Sequence, residues 1–190
     1  NIRNMKKIIR SLLLPASVML ASCVGSTQQQ EEGFNYIDER FADIQMLRYN
    51  VEGFDALSLQ QKTFVYYLQE AALWGRDILF DQNGRYNLEI RRMMEKLYQE
   101  YDGDRECADF KAFEVYLKRL WFSNGIHHHY GSEKFSPEFS REWFVAQTSC
   151  SDEIAEVIFN PDVMPKRVNQ AQGEDLVLTS ASNYYQGVTQ

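Results

Sequence analysis

Along most of the chain the apolar residues recur every three or four positions, which is the period of an amphipathic helix. Phe34, Ile37, Phe41, Ile44 and Leu47 predict a first helix, closed by a turn around Glu52-Gly53. Ser58-Leu-Gln-Gln61 has the form of a capping box and predicts the start of a long second helix. Its expected buried stripe is Leu59, Phe64, Tyr67, Leu68, Ala71, Trp74, Ile78 and Leu79, and Asp81-Gln-Asn-Gly84 ends it. Asn87 can cap a third helix carrying Ile90, Met94, Leu97 and Tyr101, which Asp102-Gly103 breaks. A fourth runs from about Asp109 through Phe110, Phe113, Leu117, Leu120 and Trp121 to Ser123-Asn124-Gly125. Ser136-Pro137 and Ser140 predict a shorter helix through Trp143 and Phe144, and Ser151-Asp-Glu another through Val157 and Ile158. Pro161 and Pro165 end the helical pattern, and the polar remainder has one β-prone run, Leu176-Val-Leu-Thr179. The expected fold is mainly α.

The first residues follow a different rule. Lys6, Lys7 and Arg10 precede an apolar run from Leu12 to Leu20 and then Ala21-Ser22-Cys23, the order of a lipoprotein signal peptide. Residues 1–22 are then a leader, Cys23 is the lipidated terminus, and residues 23–33, with their Gln-Gln-Gln-Glu-Glu tract, are a tether. Residues 34–160 form a helical domain, and residues 161–190 lead to a further C-terminal part. Such a protein sits in the cell envelope, held to the membrane by its lipid, in the periplasm or on the outer-membrane face.

The full chain carries a net charge of −7, and without the four basic residues of the leader 16 Lys and Arg face 27 Asp and Glu, giving −11. That charge repels phosphate backbones, so nucleic acid is not an expected partner. With Cys23 lipidated, Cys107 and Cys150 remain, and either one bridge or two separate thiols fits an exported domain.

The three histidines of the chain are consecutive, His127, His128 and His129, in a turn flanked by Phe122, Tyr130 and Phe135. Consecutive side chains point in different directions, so only two could share an ion without distortion, and no metal ligand is assigned. Hydrogen bonding to a peptide in a cleft suits this loop better. Asp77 and Asp81 read as a helix-end charge and a turn residue. Arg91-Arg92 reads as a solvated pair bonded to acidic neighbours. Ser149-Cys150-Ser151 lacks the glycine flanks of a nucleophile elbow. No catalytic residue is assigned.

The segments Trp74-Gly-Arg-Asp-Ile-Leu-Phe-Asp-Gln-Asn-Gly84 and Glu114 to Phe135, with its Ser-Asn-Gly-Ile-His-His-His-Tyr core, resemble the dipeptidyl peptidase III family of zinc exopeptidases, in particular its Bacteroides-type members. The resemblance extends from about Phe41 to Tyr185. It implies a two-lobed metallopeptidase with a wide cleft, which removes dipeptides from the N-termini of peptides. In that family zinc is held by two histidines of a His-Glu-x-x-Gly-His helix and a later glutamate, and none of these is in the chain. The resemblance therefore implies an N-terminal portion, inactive alone, with zinc as the cofactor of the full-length protein and not held here. It also implies peptide contact for Asn124, His129 and Tyr130. An isolated portion would expose apolar helix faces and is expected to be marginally stable or self-associating. A non-enzymatic helical lipoprotein that binds peptides or a protein partner is the alternative.

Overall fold

The computed structural model describes residues 34–190, so the predicted leader, the lipidated Cys23 and the tether lie outside the described residues. The fold is mainly helical, with one small sheet of two strands. In chain order the elements are β1 (Ile37–Phe41), β2 (Ile44–Leu47), a 3-10 turn (Phe54–Ala56), α1 (Leu59–Trp74), α2 (Arg76–Asn83), α3 (Asn87–Glu100), α4 (Ala108–Ser123), α5 (Arg141–Thr148), α6 (Asp152–Phe159) and the single turn α7 (Leu176–Thr179).

The expected first helix is instead an antiparallel hairpin, β1 against β2, turning at Ala42-Asp43 with Ala42 at φ 48°. Of its apolar positions only Phe41 and Ile44, the two flanking the turn, are buried. The hairpin is fixed from a distance: Glu39 and Asp43 pair with Lys118 and Arg119 of α4, each at 2.6 Å, and Phe41 meets the edge of Phe122. Tertiary contacts override a local period that both structures could satisfy.

The capping box at Ser58 forms as expected: its hydroxyl accepts from Gln61 N and the Gln61 side chain accepts from Ser58 N. The long helix divides at Gly75, however, into α1 and α2. The break lets α2 turn onto the end of α4, where Arg76 donates to the Trp121 carbonyl at 3.1 Å. The expected buried stripe is also corrected. Among the described residues nothing buries α1, whose Leu59 and Trp74 are 82% and 85% exposed, and Ile78 and Leu79 of α2 are exposed while Phe80 beside them is buried. A helix apolar on all sides has no preferred stripe, so periodicity cannot say which face is covered.

The core lies between α3, α4, α5 and α6. Ile90, Met94 and Leu97 of α3 pack with Phe110, Phe113, Leu117 and Leu120 of α4, as the spacing predicts, and with Phe144, Ile154, Val157 and Ile158. Phe113 is its centre, with rings of Phe110, Phe139 and Trp143 within 5.8 Å. Tilted and edge-on aromatic contacts of this kind add to the area they bury. Ser140 and Ser151 cap α5 and α6 through Trp143 N and Ile154 N. Asn87 does not cap α3 but is its first helical residue and is buried. The β-prone run 176–179 is a helical turn, because the Asp175 carboxylate accepts from both Val177 N and Leu178 N. Cys107 and Cys150 are both unbridged, and Cys107 serves as the cap of α4.

Candidate functional site

The histidine turn is placed by the end of α4. Asn124 takes the left-handed conformation (φ 52°, ψ 45°), and Gly125 N closes on the Leu120 carbonyl at 3.1 Å, which reverses the chain. The returning segment folds back on itself through His128 N to Glu133 O (2.7 Å) and Phe135 N to Ile126 O (2.9 Å). Tyr130 stands at the tip, 85% exposed.

The base of this loop is clamped to both ends of α2 and to the start of α3. Asn83 donates to the Asn124 carbonyl at 3.1 Å, Arg76 reaches the Asn124 side-chain oxygen at 3.4 Å, and Asn87 Oδ1 accepts from Ile126 N at 3.3 Å. The segments Trp74–Gly84 and Glu114–Phe135 are thus in direct contact. Asn124, expected to touch a ligand, holds this clamp and is not among the groove residues described below.

The three imidazoles have separate settings. His127 is 2% exposed and its Nε2–H donates to the Met164 carbonyl at 2.8 Å, leaving Nδ1 buried without a partner among the described residues. Burial, with Lys134 and Arg167 nearby, pulls it down to about 4 despite that bond, so it is neutral at pH 7. His128 Nδ1 accepts from Tyr130 N and Gly131 N at 3.2 and 3.0 Å, and its Nε2 lies 3.6 Å from the Asp43 carboxylate. His129 bonds Ser123 Oγ at 3.4 Å and lies within 5.0 Å of the rings of Phe122, His128 and Tyr130. Burial and then His128 lower its pKa. Among the described residues no group of three His, Cys, Asp or Glu side chains is arranged to hold a metal ion.

Between this loop and the hairpin runs an open groove of about 580 Å³. One wall is β2, with Met46, Leu47 and then Tyr49; the other is Phe122, His128, His129 and Tyr130. Asp43 sits at one end. Burial raises its pKa, but its main-chain hydrogen bond and Arg119 outweigh this and hold it below the ordinary carboxylate value. His129 and Tyr130, named from the sequence, both line the groove. Phe122, named from the sequence as a flank of the histidine turn, also lines it; Asp43, Met46 and Tyr49 were missed because the segment from Phe34 to Leu47 was read as a helix.

The remaining candidates are structural. Asp77 receives Arg91 at 2.8 Å and Arg92 at 3.2 Å, and Arg91 also reaches Glu95, so the arginine pair is neutralised locally. No model of a known protein family matches the chain, and no curated protein matches it.

Proposed function

We propose that the groove between β2 and the His128–Tyr130 loop receives an extended peptide, and that the chain is the N-terminal part of an exported, lipid-anchored, two-lobed zinc dipeptidyl peptidase. The single observation that carries the peptide reading is one open groove lined on one side by β2, the second strand of a two-stranded sheet, and on the other by a group of aromatic rings. An extended peptide can bond its main chain to a strand edge and lay alternate side chains against the rings. A peptide ammonium approaching Asp43 would have to share its carboxylate with Arg119, and the clustered rings of His128, His129 and Tyr130 offer faces to apolar or cationic side chains.

The family part of the reading rests on the sequence resemblance of Trp74–Gly84 and Glu114–Phe135, two segments that hydrogen-bond to each other. Among the described residues no three His, Cys, Asp or Glu side chains are grouped to hold a metal ion; in this reading the zinc would be held by residues of a longer protein and would activate the attacking water there. The test is an assay of the longer gene product and of this chain on an Arg-Arg dipeptidyl amide, with and without added zinc. Zinc-dependent release by the longer product and none by the chain alone is the expected result. Robust turnover by the chain alone, or none by the longer product, overturns the peptidase reading.

A peptide-binding lipoprotein without enzymatic activity is the second reading, resting on the same groove. Peptide binding together with an inactive longer product would select it.

A further inference from the structure

On the other side of Tyr130 lies a second groove of about 570 Å³, between the turn at residues 130–132 and the arm at residues 166–171. The arm is held from both sides. Arg167 N donates to the Ser132 carbonyl at 2.8 Å and Lys134 N to the Pro165 carbonyl at 3.1 Å, while Ala181 N and Ser182 N donate to the carbonyls of Lys166 and Arg167 at 3.0 and 3.1 Å. Lys166 and Arg167 therefore stand on a backbone held in place from both sides.

Their charge balance is incomplete. Arg167 is half-buried, yet it donates only to neutral acceptors, the His129 carbonyl at 3.0 Å and Asn83 Oδ1 at 3.4 Å. Its Nε is buried without a partner, and no ion pair among the described residues reaches it. Lys166 has one loose pair, 3.6 Å to Glu133, with both side chains largely in solvent. Such a pair exchanges readily for a better-placed anion. The Arg167 guanidinium thus keeps its charge with no carboxylate partner among the described residues, in a form that matches carboxylate geometry.

We propose that this second groove is an anion subsite in which Arg167 and Lys166 take a carboxylate of the peptide lying in the first groove, past Tyr130. The proposal rests on the peptide reading above and adds polarity to it: the ammonium end lies toward Asp43 and the carboxylate toward Lys166. The carboxylate can be the peptide C-terminus or an acidic side chain, and the guanidinium fork suits either.

The test is calorimetric titration of the protein at low salt with three pentapeptides: an alanyl peptide as free acid, the same peptide as C-terminal amide, and an amide with Glu at its last position. One or both carboxylate-bearing peptides should bind about tenfold tighter than the plain amide, the size of a charge-assisted hydrogen bond. Tighter acid alone identifies the C-terminus and tighter Glu-amide alone the side chain. Lys166→Met and Arg167→Lys should each reduce the preference, Lys166→Met with amide binding and thermal midpoint unchanged. Equal affinities in the unaltered protein, or loss of amide binding in Lys166→Met, overturn the subsite but leave the first groove standing. Failure of every peptide to bind overturns both.

Discussion

The Asn87 side chain closes over Gly125 so tightly that a methyl group on that glycine would lie 2.4 Å from Asn87 Nδ2, while Asn87 Oδ1 accepts the next amide, Ile126 N. Gly84 touches the same side chain, with its own methyl position 2.9 Å from Nδ2. One buried asparagine therefore keys the turn after α2 to the turn after α4 and sets where the histidine loop begins.

Gly125 is at φ +149°, so Gly125→Ala meets both backbone strain and this contact. It should destabilise the fold by about 2 to 4 kcal/mol. Urea unfolding measures this. Because the clash is with Asn87, the double variant with Asn87→Ala should lose less than the two single losses added together.

Stability should also fall with acid in a window set by His127. Its folded pKa, about 4, lies below the ordinary 6.5, so the unfolded chain binds more protons between those values. Stability from this group is complete above 6.5 and is lost as the pH drops toward 4. Lowering the pH from 7 to 5 should cost about 2 kcal/mol from this residue alone. His129, also lowered, has the same sign, whereas the lowered carboxyls of Glu156 and Asp175 act below their ordinary values of 4.5 and 3.8. Denaturant unfolding at pH 7, 6 and 5 in the protein and in His127→Gln checks it: the slope should flatten in the variant.

The exposed face of α1 and the aromatic core should respond in opposite ways. Trp74→Ala, at a side chain 85% exposed, should change stability by less than about 0.5 kcal/mol. Phe113→Ala, at a fully buried ring, should cost about 3 to 5 kcal/mol. Phe64→Ser together with Trp74→Ser should lower concentration-dependent association in sedimentation velocity without lowering the thermal midpoint.

Features decided by a few neighbouring residues were legible in the sequence. Ser58, Ser140 and Ser151 cap the helices expected of them, and the core positions of α3 and α4 follow directly from spacing. What was not legible depends on distant partners. Phe41 and Ile44 fit a helical period and a hairpin equally well, and the choice is made by Lys118 and Arg119, more than seventy residues away. The groove inherits that difficulty: His129 and Tyr130 stood out as an aromatic turn, but the opposing β2 wall exists only once the hairpin is recognised. Asn124 carries a helix-ending geometry as well as a polar side chain, and the first use explains its position.

Peptide occupancy of the groove is tested most directly by photo-crosslinking a pentapeptide bearing benzoylphenylalanine at its second position and mapping the adducts by mass spectrometry. Adducts confined to Ile44–Tyr49 and Phe122–Tyr130, and competed away by unlabelled peptide, are the expected result. Adducts concentrated on α1, or none that competitor removes, would contradict it.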